Sequence, residues 1–126
     1  MGKEVRSDLK YTNSHEWLKL SDDKAEVGIT DHAQSELTDI VFVELPEVGK
    51  EVKKGEELCI VESVKSVSEI FSPISGKILE VNKNLDDSPE ILNNSPYDDG
   101  WLVKIEIKDK SEIKDLLDVD SYKKII

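Results

Sequence analysis

What most restricts the fold of this chain is a succession of short β-like runs, each ended by turn residues. Ala25–Thr30 alternates Ala25, Val27 and Ile29 with polar or small residues. Ile40–Leu45 is rich in β-branched and aromatic side chains, and Glu57–Val64, Val67–Phe71, Gly76–Val81 and Trp101–Ile107 continue the series. Gly49, Gly55, Pro73 with Gly76, and Asp98-Asp99-Gly100 punctuate it. Glycine reaches backbone angles closed to other residues, and proline pre-sets a turn, so these positions are natural reversals. Many short strands at such spacing predict a sandwich or flattened barrel.

Two stretches break the pattern. In Thr30–Ile40, Ala33, Leu37 and Ile40 fall at helical spacing, with Thr30 or Asp31 able to cap the start. Near the C-terminus, Asp109 or Ser111 can cap a helix that buries Ile113, Leu116 and Leu117, and Val119, Tyr122 and Ile126 suggest a second apolar stripe. A weak repeat is also present: Pro46–Val52 and Pro73–Leu79 both fit Pro-x-x-Gly-Lys-x-apolar, 27 residues apart. Two turns of like chemistry would explain it. So would a pseudo-symmetric sheet, in which case the segment between the copies reverses direction near Lys65.

Lys65 is the isolated amine of the segment Val61–Gly76. Its surroundings, Glu62 to Ser68, contain no Gly, Pro, Asn or Asp, the usual reversal residues, so local propensity continues the strand. An exposed lysine on an ordinary strand is one reading. The other is a hairpin tip presenting the amine to an enzyme. A lysine ε-amine can form a stable amide with a carboxylic acid, and its four-carbon stem then becomes the inner part of a swinging arm. Because the free amine is protonated at neutral pH, acylation needs a dedicated enzyme that can reach it.

Other chemistries find less support. With 17 basic and 28 acidic residues the net charge is −11, which disfavours nucleic acid and anionic membranes and suits partners with basic docking surfaces. The single cysteine, Cys59, sits in an apolar run and reads as a buried structural thiol. His15 and His32 have no metal-ligand spacing, and the pairs Asp22-Asp23, Asp86-Asp87 and Asp98-Asp99 lack a calcium-loop pattern. No phosphate loop or dinucleotide fingerprint occurs. Ser63 with Lys65 could form a nucleophile pair, but nothing nearby supplies an oxyanion hole. The opening residues lack the apolar region of a signal peptide, and no apolar stretch approaches membrane-spanning length. A chain of 126 residues is enough for one domain with a modest core.

Six motifs, in order, carry a resemblance to a known family: His15–Trp17 (HEW), Val27–Gln34 (VGITDHAQ), Val41–Gly49 (VFVELPEVG), Glu62–Ser66 (ESVKS), Ser72–Gly76 (SPISG) and Ser95–Trp101 (SPYDDGW). The chain resembles the H-proteins of the glycine cleavage system, which are lipoyl carriers, from about Leu9 to Tyr122. The resemblance implies a single lipoyl-carrier domain over residues 1–126. Its fold would be mainly β, a lipoyl-type barrel-sandwich hybrid of two small antiparallel sheets with peripheral helices, one of them C-terminal. It also implies that Lys65 carries lipoic acid in amide linkage, at a hairpin turn. Two residues depart from the family habit: Ser66 where alanine commonly follows the lysine, and Thr38 where glycine commonly ends the first helix.

The implied partners are a pyridoxal-phosphate glycine decarboxylase, a tetrahydrofolate-dependent aminomethyltransferase, a dihydrolipoyl dehydrogenase and the lipoylating enzymes, with the chain itself a non-catalytic carrier. A homologue relaying lipoyl groups to other proteins and an unmodified interaction module are the alternatives. The location expected is the cytoplasm for a bacterial chain and the mitochondrion for a processed eukaryotic one. Glu62, the carboxylate nearest the acceptor, is a candidate for recognition by the modifying enzyme, or else a solvent-facing strand residue. Glu16, between His15 and Trp17, is a candidate to receive the ammonium of the loaded arm, with an aromatic neighbour helping to exclude water, or else an ordinary surface glutamate.

Overall fold

The computed structural model describes residues 4–126, and the chain is mainly β. Nine strands form: β1 (Lys10–Tyr11), β2 (Glu16–Ser21), β3 (Lys24–Ile29), β4 (Ile40–Glu44), β5 (Glu51–Val52), β6 (Glu57–Ser63), β7 (Val67–Phe71), β8 (Gly76–Val81) and β9 (Val103–Ile107). Six of them make one sheet in the order β1-β2-β3-β9-β8-β5, and the other three make a second in the order β4-β6-β7. Every pairing is antiparallel. The open sheets enclose a core that includes Leu18, Val27, Ile29, Val61, Ile78 and Ile105, the lipoyl-type barrel-sandwich arrangement expected.

A second cluster, Leu9, Tyr11, Trp17, Tyr97 and Tyr122, lies where the two ends of the described chain meet. Tyr11 and Tyr122 stack with ring centroids 4.5 Å apart, and Tyr11 and Leu117 exchange backbone hydrogen bonds of 2.8 and 2.7 Å. Strand β2 serves both clusters. Trp17 enters the aromatic one while Leu18 enters the main core. An apolar residue on each face abolishes the alternation that marks a half-buried strand, which is why β2 was not legible in sequence. Trp17 fits only because Gly28 lies opposite it; a Cβ there would come within 2.6 Å of the indole.

The two copies of the repeat lie side by side. Val52 pairs with Gly76 and Glu51 with Lys77, while the amides of Gly49 and Ile78 bond across to Ile78 and Lys50 carbonyls at 2.8 Å. Gly76 is also required by a close approach, since a Cβ would sit 2.1 Å from the Glu106 carbonyl oxygen. Antiparallel pairing of the copies forces the chain between them to turn back. It does so as the hairpin β6–β7.

The helices differ from expectation in extent. Helix α1 (Asp31–Leu37) is capped by Thr30, whose hydroxyl accepts from the Ala33 amide at 3.1 Å. It stops at Thr38, so Ile40 begins β4 instead of extending the helical stripe, its amide donating to Asn93 Oδ1 at 2.9 Å. Ala33 and Leu37 are only half-buried. The expected C-terminal helix is divided. Asp109 caps a 3-10 helix, Lys110–Asp115, that leaves Ile113 half-buried, and Leu117 is extended against Tyr11. A separate helix (Val119–Lys123), capped by Asp118, buries Tyr122 but leaves Ile126 exposed. Two four-residue helices, Asn84–Asp87 and Ile91–Asn94, were not foreseen; each buries one leucine completely, Leu85 and Leu92.

Candidate functional site

The reversal between β6 and β7 takes two residues, Val64 and Lys65. Glu62 pairs with Val67, and the Ser63 amide donates to the Ser66 carbonyl at 2.8 Å. Neither central residue has positive φ, so no glycine or asparagine is needed. Turn chemistry comes instead from the Ser63 hydroxyl. Its oxygen accepts from the amides of Ser66 at 3.1 Å and Lys65 at 3.3 Å. The Val64 amide donates to the Asp39 carbonyl at 2.9 Å, bracing the tip against the chain entering β4. Ser63 is buried and engaged by backbone, while Lys65 is exposed. Lys54, Lys104, Lys108 and Lys110 make ion pairs, and Lys65 joins none of those found among the described residues.

Glu62 lies one row behind the tip, half-buried, between Phe42 of β4 and Val67 of β7. Strand β7 continues from there for about 13 Å, at the usual rise per residue, to Phe71. Phe71 lines a groove of about 390 Å³ together with Thr12, Ser14, Glu16, Lys54 and Leu117.

Glu16 is 2% exposed, which excludes the reading as an ordinary surface glutamate. The turn from Thr12 to His15 curls over its carboxylate. The hydroxyls of Thr12 and Ser14 each donate to Oε1 at 2.6 Å, and Thr12 Oγ1 accepts the Glu16 amide at 3.0 Å. His15 closes that turn with a left-handed backbone, φ 70°. Burial pushes the Glu16 carboxyl above its ordinary range, while the Ser14 and Thr12 hydroxyls and the Phe71 backbone pull it back. The aromatic residue beside Glu16 is Phe71. Trp17 faces away because successive strand residues point to opposite sides, and its Nε1 donates to the Pro96 carbonyl at 2.9 Å.

The structure therefore brings Lys65 and Glu62 together at one end of β7 and places Glu16 in the groove at its other end. Sequence reading missed Thr12, Lys54, Phe71 and Leu117, which only long-range packing gathers. Ser14, two residues before Glu16 in an apparent turn, carried a local signal. Cys59 is buried, with its thiol pushed well up by burial. The His15 and His32 rings lie with centroids 4.6 Å apart at a tilt of 45°, and His15 Nδ1 lies 2.8 Å from the Tyr122 hydroxyl. Among the described residues no group of three or more His, Cys, Asp or Glu is placed to hold a metal, and no helix is long and apolar enough to cross a membrane.

Comparison with known proteins agrees over nearly the whole chain. The family model described as glycine cleavage H-protein matches residues 9–126. The glycine cleavage system H protein of Endomicrobium trichonymphae is 58% identical over 122 residues, covering 97% of this chain and 98% of that one. The protein of the same description from Halalkalibacterium halodurans is 54% identical, covering 95% and 94%. The crystal structure of a glycine cleavage system H protein from Mycobacterium marinum superposes with a TM-score of 0.84 at 38% identity, covering 94% of this chain and 95% of that one. On this evidence, the chain belongs to the glycine cleavage H-protein family.

Proposed function

We propose that this chain is the lipoyl carrier of a glycine cleavage system, with Lys65 the single acceptor of lipoic acid in amide linkage. The observation that carries the reading is the placement of Lys65 at a two-residue reversal, exposed and braced from beneath by Ser63 and Asp39. An exposed primary amine that joins no ion pair among the described residues, on a hydrogen-bonded tip, fits amide attachment. When bound, the lipoyl group supplies a reducible disulfide on which an aminomethyl unit can travel. The chain contributes presentation. A rigid hairpin holds the attachment point away from the body, which raises the effective concentration of the cargo at each partner without catalysing a step. The partners inferred are a glycine decarboxylase, an aminomethyltransferase, a dihydrolipoyl dehydrogenase and the lipoylating enzymes. Bacterial relatives favour a cytoplasmic protein.

We infer two further roles. Glu62 helps the modifying enzyme select Lys65, supported by its place in the row next to the tip; equal lipoylation rates for wild type and Glu62→Gln would remove that role. Glu16 receives the cationic amine of the cargo in the groove, supported by its burial and by a carboxylate already oriented by two hydroxyls. Contacts between the ends of the described chain, through Tyr11 and Leu117, support one domain over residues 1–126.

The central test is Lys65→Arg, which keeps the charge and removes the acylatable amine. The variant is expected to melt at the wild-type temperature, take up no lipoyl group by intact mass, and carry no aminomethyl unit. Lipoyl incorporation into the variant would defeat the assignment.

A further inference from the structure

The tip is surrounded by apolar side chains that none of the described residues covers. Val64 and Val67 are 66% and 64% exposed, and Val41 and Phe42 are 54% and 49% exposed. Two consecutive exposed residues on β4 are irregular, because a strand alternates faces. They result from a β-bulge, where the register against β6 shifts between Ile40 and Phe42. The pairings Phe42–Glu62 and Glu62–Val67 then set both apolar residues in one cross-strand row beside Lys65. Asp39, Glu44 and Glu69 are exposed around these residues. An apolar centre within a charged rim is the anatomy of a protein interface. Isolated exposed apolar residues are ordinary, but clustered ones on an acidic protein are not.

We propose that Val41, Phe42, Val64 and Val67 form the docking collar for the enzyme that acylates Lys65, a partner with an apolar mouth and a basic rim. The inference rests on Lys65 being the acceptor. Reach identifies this partner among the several that the carrier must meet. The unmodified amine stands only about 6 Å from its Cα along the lysine stem, at ordinary bond lengths. An enzyme that acylates it must close around the tip itself, so the collar lies inside the contact. Once a lipoyl group is attached, the arm is much longer, and later partners reach its end without enclosing the tip.

The chemistry also needs a closed contact. The donor is an activated acyl group of the acyl-adenylate class. The Nζ lone pair forms the amide bond to the acyl carbon, the bond from that carbon to the adenylate oxygen breaks, AMP leaves with the electron pair, and the original ammonium gives up two protons. Water competes for the same carbon. An apolar collar sealed against the enzyme excludes it.

The test uses the unmodified full chain, a lipoate–protein ligase, lipoate and ATP, with acylation followed by intact mass. The double variant Phe42→Ser/Val67→Ser should lose about tenfold or more in kcat/KM for acylation, as expected for truncated interface anchors. Phe42→Leu/Val67→Leu, which restores apolar area, should return to within about threefold of wild type. After prolonged incubation to full acylation, the serine variant should be reduced by dihydrolipoyl dehydrogenase with NADH within about twofold of the wild-type rate. Acylation of the serine variant at the wild-type rate would overturn the collar, and so would equal slowing of both reactions. Failure of the underlying reading looks different: peptide mapping of the acylated wild type would find the group away from Lys65.

Discussion

At the scale of single residues, Thr38 and Glu16 each set a local cost against the fold around them. Thr38 ends α1 with φ 65° and ψ −146°, close to a region that only glycine occupies freely. Holding a β-branched residue there costs about 1–3 kcal/mol, and glycine would lose about 0.5–1 kcal/mol of that gain through its greater freedom when unfolded. Its backbone contacts, the amide to Gln34 and the carbonyl to Asn93 Nδ2, do not need the side chain. Thr38→Gly is therefore expected to stabilise the protein by about 1 kcal/mol, raising Tm by a few degrees; a lower Tm would show that the threonine side chain contributes more than the strain. Glu16 is a buried carboxyl raised by desolvation, so the folded state binds its proton more tightly than the unfolded state. Its contribution to stability is therefore greatest below the unfolded carboxylate range and declines as pH rises toward the folded value. Glu16→Gln is expected to melt no lower than wild type at pH 7 and to flatten that decline. In the aminomethyl-loaded protein the same variant should release ammonia faster without the aminomethyltransferase; indistinguishable release rates would leave Glu16 with no part in holding the cargo.

The element that matters most is the β6–β7 hairpin, whose tip is built without the usual turn residues. Hydrogen bonds from the Lys65 and Ser66 amides to Ser63 Oγ replace the left-handed residues of a common two-residue turn. Such bonds contribute about 1 kcal/mol net, with the long ones at the lower end. Ser63→Ala should lower Tm by about 3–5 °C, speed hydrogen exchange at the Lys65 and Ser66 amides, and slow lipoylation by loosening the presentation of the amine. Unchanged exchange at both amides would mean that the brace from Asp39 alone holds the tip. The same hairpin displays how position within an element is divided by face. Val61 and Ser63 point to the core, Glu62 and Val67 point out, and the β4 bulge adds Val41 and Phe42 to the outer side.

Over the whole molecule, the charge of −11 acts in two opposite ways. Self-repulsion opposes the compact state, and complementarity speeds encounter with basic docking surfaces. Salt at about 0.1 M screens beyond roughly 10 Å, so it weakens both. Raising NaCl should therefore raise Tm slightly while slowing association with dihydrolipoyl dehydrogenase, chiefly through the on-rate. Association rates independent of ionic strength would mean that apolar contact dominates docking. The exposed ion pairs Lys54–Asp115 and Lys110–Asp23, both 2.7 Å, do not reverse the first expectation, because surface pairs are screened and add little.

The sequence by itself determined six of the nine strands, with the bounds of β7 and β8 among them, and a cap from Thr30 or Asp31 at the start of α1. Those features depend on residues near one another in the chain, where period and turn chemistry act. The six ordered motifs also singled out Lys65. Only the tertiary structure decided that the tip turns at Val64–Lys65, because the decisive Asp39 carbonyl lies some distance away in sequence and the Ser63 hydroxyl acts through the backbone. It also decided that β2 divides its apolar residues between two clusters, hiding its period. The groove around Glu16 was least legible of all. Thr12, Lys54, Phe71 and Leu117 meet there only after both sheets close and the C-terminal segment pairs with β1. Local propensity carries no information about such contacts, since packing between distant segments, and not the preference of any one of them, sets which side chains share a cavity.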